Sequence, residues 1–192
     1  MFGDDYQGVM DNASKAFKTV GISANDYMEQ VTSFSASLIS SLNGDTAKAT
    51  KIADNAMKDM ADNANTFGTS IESIQNAYQG FAKGNFTMLD NLKLGYGGTK
   101  EGMQQLIKDA SKLKDVQKEL GIEVDKNDMS FANIANAISV VQKNMNIMGT
   151  TENEAMGTLT GSIQALQASW ENFLSGTGDL GQVVENARRC LH

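Results

Sequence analysis

In the last third of this chain, large apolar side chains recur at alternating steps of three and four residues. One run extends from Phe131 to Met148 and a second from Met156 to Phe173, with Gly149 between them. This alternation keeps to one face of an α-helix but not to one face of a β-strand. We therefore expect two amphipathic helices, paired as an antiparallel hairpin over 130–175 or as a coiled coil with another copy. The members of the runs are Phe131, Ile134, Ile138, Val141, Met145 and Met148, then Met156, Leu159, Ile163, Leu166, Trp170 and Phe173.

Glycine and capping residues, rather than proline, divide the rest of the chain. It contains no proline and 18 glycines. Further helical stripes are predicted over 4–19, 27–42, 49–67, 71–81 and 100–120, ended by Gly21, Gly44, Gly68 and Gly121. Polar residues that start helices precede them: Ser23–Asp26, Asp45, a capping box at Thr69–Glu72, Thr99, Ser130 and a second box at Thr151–Glu154. The pattern predicts an all-α protein of amphipathic helices with glycine breaks, either bundled or in an elongated coiled-coil-like assembly.

A glycine-rich stretch suggests how the chain is divided. We expect an N-terminal helical segment (1–92), a joint (93–99) and a C-terminal helical segment (100–192) that contains the 130–175 hairpin. Lys93 and Lys100 flank the joint, as basic residues flank some phosphate-binding loops. The glycines at 95, 97 and 98 do not have the spacing of those loops, so we interpret the stretch as a flexible or tightly turned joint.

Composition excludes several classes of function. The formal net charge of -7 argues against a nucleic-acid-binding surface, which neutralises phosphates with Lys and Arg. No apolar run approaches the ~20 residues of a membrane-spanning helix, so we expect no membrane contact. The single cysteine, Cys190, permits no internal disulfide, and the single histidine, His192, is the last residue. The polar run Glu123–Asp128 lacks the ligand spacing of a calcium loop. We therefore predict no catalytic, cofactor-binding or metal-binding residue and no enzymatic activity.

Two segments carry a resemblance to a known family. The first comprises Asn76–Thr99, including Gly80-Phe81-Ala82-Lys83-Gly84-Asn85-Phe86-Thr87-Met88-Leu89-Asp90-Asn91-Leu92, with its lead-in Ala61–Gln75. The second comprises Ile147–Ala155 and continues through Gly161-Ser162 to Ala168–Gly176. In this order they closely resemble a region of the tail tape measure proteins of long-tailed bacteriophages and prophages, over most of 45–181.

The resemblance implies a structural role. Tape measure proteins form the rod inside the tail tube, set tail length during assembly and leave before the genome. The implied partners are other copies of the chain, the tail tube and the tail assembly chaperones. The implied location is the tube interior of the virion, after the host cytoplasm during assembly. Since the family's chains are much longer, we expect this sequence to be an internal fragment or a truncated product.

A second hypothesis remains open from the residues alone. Secreted or chaperone-like helical hairpin proteins also combine amphipathic helices, glycine breaks and few cysteines. On that hypothesis the chain is a helical protein–protein interaction module. Compact proteins of this length have a radius of gyration near ~16 Å, so solution scattering separates a compact fold from an elongated assembly.

Overall fold

The computed structural model describes residues 6–155 and 159–190; positions 4 and 5 of the predicted first helix, Met156 and His192 lie outside them. The fold is 74% helical with no strand among the described residues, so the all-α prediction is confirmed. The α-helices are α1 (Tyr6–Ser14), α2 (Ala16–Val20), α3 (Ala24–Ser41), α4 (Thr46–Phe67), α5 (Ile71–Ala82), α6 (Lys100–Lys112), α7 (Lys114–Leu120), α8 (Phe131–Asn144), α9 (Thr150–Ala155), α10 (Leu159–Leu174) and α11 (Leu180–Cys190). A short 3-10 helix, Leu89–Leu92, lies between α5 and α6.

The predicted helix starts are confirmed at four positions. Ser23, Asp45, Thr99 and Ser130 each accept a hydrogen bond from the backbone N–H three residues later. Such bonds satisfy N–H groups that have no partner within the helix. The cap of α5 is Ser70, which accepts from the N–H of Ser73. The expectation that Thr69 is this cap is therefore wrong by one residue.

Two expected helices are each divided. The predicted helix over 100–120 breaks at Leu113, between α6 and α7, although no glycine or proline marks the place. The buried side chain of Gln117 accounts for the bend: its Nε2 donates to the carbonyl of Ala110 at 2.8 Å, and its Oε1 accepts from the N–H of Val124 at 3.1 Å. The predicted helix over 4–19 similarly divides at Lys15. Gly68 and Gly121 end their helices with left-handed backbone, as expected.

The main core gathers around α4. This helix packs against α3, α5, α8 and α9, and α6 covers another side of α8. Residues on both sides of the 93–99 stretch enter the same core, including Met57 and Met60 of α4 and Ile134 of α8. The rings of Phe34 and Phe131 meet edge to face, with centroids 5.8 Å apart. Burial of this apolar surface is the dominant stabilising contribution in a fold of this kind.

The hairpin predicted over 130–175 does not form in the described residues. The apolar face of α8 is covered by α3, α4 and α6, where Ile134 and Ile138 are fully buried. The main packing partner of α10 is α11, and α8 and α10 share no substantial contact. That pairing is therefore wrong, because a face already covered by three helices has no surface left for a fourth.

The glycine-rich joint is a close-packed turn. A Cβ atom built on Gly98 would lie 2.3 Å from the carbonyl oxygen of Thr87, and one built on Gly102 would lie 2.1 Å from that of Gly97. Both distances are far below van der Waals contact, so only glycine permits this approach of the two backbones. Leu92 and Leu94 are buried beside the turn.

A carboxylate of α4 holds the start of α9. Asp62 accepts hydrogen bonds from the N–H of Gly149 at 2.7 Å and the N–H of Thr151 at 2.9 Å. The capping box expected at Thr151–Glu154 is wrong for Thr151, because α9 already begins at Thr150 and the buried Thr151 hydroxyl has no hydrogen-bond partner; Asp62 supplies the acceptor oxygens instead. Because a carboxylate bonded to N–H groups at a helix N-terminus is stabilising, Asp62 fixes where the chain turns away from the core.

Candidate functional site: exposed apolar stripes on α10 and α11

The inward face of α10 carries small and polar residues. Ala165, Ala168, Ser169 and Asn172 are buried along it. Asn172 Oδ1 accepts from the N–H of Ala24 at 3.1 Å, and so attaches α10 to the start of α3. These residues recur at helical spacing, which makes this the packing face of α10.

The outward face of α10 is apolar and exposed. Ile163 is 52% exposed, Trp170 49% and Leu174 67%. Phe173 lies beside them, its ring centroid 5.9 Å from that of Trp170. The second apolar run was expected to pack against the first in a hairpin. That expectation is wrong for Ile163, Trp170 and Phe173, because the small-residue face takes the inward position and leaves them exposed, while Leu166 is half-buried.

Helix α11 presents a second exposed apolar stripe. Leu180 and Val184 are about half exposed, and they line a shallow groove of 610 Å³ together with Glu185 and Arg188. Asn186 Nδ2 donates to the carbonyl of Ala165 at 3.2 Å and ties α11 to α10. Extensive packing of α11 is with α10 alone in the described part of the chain. Helices α10 and α11 therefore form a hairpin that is attached to the rest of the fold through α10, which packs against α9, α2 and α3.

The two stripes together expose a substantial apolar area. Six side chains contribute: Ile163, Trp170, Phe173, Leu174, Leu180 and Val184. At their exposed fractions they leave roughly 600 Å² of apolar surface in water, taking about 150–250 Å² for a large side chain in full. The four side chains of α10 alone account for roughly 400 Å², which is within the range of about 300–600 Å² for the largest, often functional, apolar patch on a monomer. The stripes are thus the strongest candidate for an interaction surface in the described residues.

Lys93 and Lys100, the basic residues that flank the glycine-rich joint, are both exposed. Lys93 Nζ donates to the carbonyl of Phe67 at 3.4 Å, and Lys100 is exposed in the first turn of α6. On the same helix, the hydrogen bond from Lys112 holds the pKa of Asp109 below its usual range. Partial burial, followed by the charge of Asp109, raises the pKa of Tyr96. These contacts organise the turn around α6.

Sequence reasoning missed the pairing of α10 with α11. A signal was present, because Ala165, Ala168, Ser169 and Asn172 lie on the face of α10 opposite its large apolar residues. Small side chains at helical spacing allow a neighbouring helix to approach closely. The small size of the side chains, rather than their hydrophobicity, indicated which face of α10 packs against its neighbours.

Comparison with known proteins identifies no relative: no protein-family model matches the chain, and no curated protein or solved structure is significantly similar to it. Among the described residues, none of the helices is both long enough and apolar enough to cross a membrane.

Proposed function

We propose that this chain is a structural segment of a tail tape measure protein of a long-tailed phage, and that its copies associate through the stripes of α10 and α11. The observation that carries the proposal is that the second resembling segment, 147–176, includes the exposed stripe of α10. The proposed role is in setting tail length and occupying the tube lumen. It assigns no catalytic residue.

A second copy of the chain is the occupant that the stripes favour. A stable interface buries about 800 Å² on each partner, and the roughly 600 Å² of apolar stripe supplies most of that area. Glu171 and Arg188 are exposed and flank the two stripes with opposite charges. In a two-fold dimer both copies contribute the same surface, so Glu171 of one copy can lie opposite Arg188 of the other. Two helical hairpins joined in this way form a four-helix bundle.

Self-association is tested by sedimentation of the whole chain over a range of concentrations. Replacing both Trp170→Glu and Leu174→Glu puts charges into the stripe without touching the core, so we expect the dimer to be lost while the helical content stays unchanged. Asn76→Asp combined with Gln104→Glu adds the same two charges at exposed polar positions of α5 and α6, outside the stripes, and is the matched control. A wild-type chain that remains monomeric at all concentrations, or a dimer that survives the double substitution, contradicts this arrangement.

The role in tail length is tested in the phage gene. Duplicating the segment in frame adds about 290 Å if its 192 residues act as one extended helix, at ~1.5 Å per residue. It adds only about 40 Å if the segment stays compact, with a radius of gyration near ~16 Å. Either increase, measured by electron microscopy, supports a role in length. Assembled tails of unchanged length refute it.

The partners implied by the resemblance belong to the same proposal. They are the tail tube and the tail assembly chaperones, met in the host cytoplasm before the chain is enclosed in the virion. The alternative function, a secreted or chaperone-like interaction module, is favoured by one observation: the hairpin of α10 and α11 displays apolar side chains in water. Dimerisation in the absence of any other protein distinguishes the two, because an interaction module of that kind keeps its stripes free for a foreign partner.

A further inference from the structure

A fully buried carboxyl lies where α4 meets α8. Asp59 sits in the middle of α4 and has no exposed surface, and the facing side chains of α8, Ser139 and Gln142, are also buried. The Gln142 side chain donates to the backbone carbonyl of Asp59 at 3.1 Å. An ionised carboxylate in such a place carries a large desolvation penalty unless it is paired.

The single hydroxyl hydrogen of Ser139 indicates whether Asp59 is protonated or ionised in this structure. The Ser139 hydroxyl is within hydrogen-bonding distance of Asp59 Oδ2 and, at 3.2 Å, of the carbonyl of Ala135. A hydroxyl has one hydrogen, and both of these neighbours are acceptors when Asp59 is ionised. A protonated Asp59 removes the conflict, because its O–H donates to Ser139 Oγ while Ser139 donates to Ala135.

Of the other polar side chains near Asp59, Gln142 favours the carboxylate through a hydrogen bond, and the rest are committed elsewhere or unpaired. Both amide hydrogens of Asn63 are used, one by the carbonyl of Leu92 at 2.9 Å and one by Gln142 Oε1 at 2.7 Å. Asp59 Oδ1, Asn63 Oδ1 and the hydroxyl of Tyr78 are buried and have no hydrogen-bond partner. The geometry therefore favours the neutral acid over the carboxylate.

The surrounding charges do not offset burial. On α4 itself, Asp62 raises the pKa of Asp59 and Lys58 lowers it, and α5 contributes the neutral hydroxyl of Tyr78. Burial is the largest cause and raises this pKa to about 7, against the lowering effect of the Ser139 hydrogen bond. The charged side chains of the other packed elements lie at the surface: Asp11 of α1, Asp26 and Glu29 of α3, Glu72 of α5, Asp90 of the 3-10 helix, Lys143 of α8 with its partner Glu119, and Glu152 of α9.

We propose that Asp59 and Ser139 form a proton-dependent contact between α4 and α8, closed when Asp59 is neutral and loosened when its proton passes to solvent. In the closed form Asp59 donates to Ser139 and Ser139 donates to Ala135. After ionisation Ser139 can serve only one of its two acceptors, and the core holds an unpaired charge. The segment of α8 around Ser139 and Gln142 then separates from α4 more readily.

The direction of the pH dependence follows from proton counting. The unfolded chain loses the Asp59 proton near the ordinary value of 3.8, whereas the folded chain keeps it to about 7. Between these values the folded state holds one more proton, so its stability falls as the pH rises. The contribution of the Asp59 proton to folding stability is fully present below the unfolded-state pKa of 3.8 and is lost once the pH passes the folded-state pKa of about 7.

The experiment measures this proton directly and then removes it. In the whole wild-type chain, the ¹³C signal of the Asp59 carboxyl should titrate with a midpoint near 7. Asp59→Asn keeps a donor to Ser139 and cannot ionise. Its urea midpoint should therefore lack the fall that the wild-type chain shows between about pH 4 and pH 7. Asp115→Asn, at an exposed position of α7, removes a charge of the same type and should retain that fall.

Two results overturn the proposal. One is a carboxyl midpoint below about pH 5, which means that Asp59 is a carboxylate under ordinary conditions. The other is a wild-type pH dependence that persists unchanged in Asp59→Asn. If Asp59→Asn does not fold, the titration of the wild-type carboxyl decides the question, since it requires no variant. Faster hydrogen exchange in α8 at about pH 8 than intrinsic rates explain, with other core amides unchanged, supports local loosening.

Discussion

Replacing Gly98 with alanine tests whether the 93–99 stretch is a packed joint or a loose linker. The added methyl carbon would start 2.3 Å from the carbonyl oxygen of Thr87, whereas real Cβ atoms essentially never come closer than 3.0 Å. One of the two backbone segments must therefore move. Inserting a methyl group into a packed site costs typically about 1–3 kcal/mol. For a chain of this size, each kcal/mol corresponds to about 2–4 °C in Tm.

The neighbouring glycine provides the control. A Cβ atom on Gly97 meets nothing within 4 Å, so Gly97→Ala should change the free energy of unfolding by less than about 0.5 kcal/mol. Urea unfolding followed by far-UV circular dichroism gives both values. We expect a lower midpoint for Gly98→Ala, with the denaturant dependence unchanged because the unfolded surface is the same. Equal stability of the two variants would refute the packed joint and indicate a loose linker.

Three further predictions follow from named contacts. Asp62→Ala should lower stability by about 1–3 kcal/mol, because it leaves the N–H groups of Gly149 and Thr151 without their acceptor; Asp62→Asn, which keeps an acceptor oxygen, should cost less in urea unfolding. Gln117→Ala should destabilise by a similar ~1–3 kcal/mol through the same loss of partners, and a Tm equal to that of the wild type would contradict the role given to Gln117. Wild-type stability should fall by up to about 4 kcal/mol between pH 4 and pH 7, at ~1.4 kcal/mol per unit, and remain level above, as measured by urea unfolding across that range.

The residues at the helix ends predicted where helices begin more accurately than the sequence predicted contacts between distant parts of the chain. Ser23, Thr99 and Ser130 cap the helices that their positions indicated, because a cap depends on atoms only three residues away. The break at Leu113 escaped prediction for the opposite reason. It depends on Gln117 bonding to Val124, beyond the end of α7, and the sequence around Leu113 carries no sign of it.

The candidate surface was predicted in part. The periodicity correctly grouped Ile163, Trp170 and Phe173 on one face of a helix, and that grouping is what makes the stripe visible. It could not tell whether the face is covered, because hydrophobic spacing describes one helix and not its partner. The inward residue Asn172 decides the orientation of α10 by bonding to Ala24, far away in the chain. Asp59 was missed as well, since a buried carboxyl in a helix full of surface charges has no distinctive local sequence.

The main core ends at Ile147, and this has a mechanical consequence. A force applied to the C-terminal end of the chain reaches α11 first, then α10, and then the hydrogen bonds of Asp62 to the start of α9. These steps break contacts with α2, α3 and α4 at the edge of the main core and leave the packing of α4 against α8 in place. We therefore expect stretching in an optical trap to show an early, low-force extension from the last three helices, followed by a separate rupture of the body built on α4. The last three helices would then extend at low force, while the body built on α4 stays folded until a higher force.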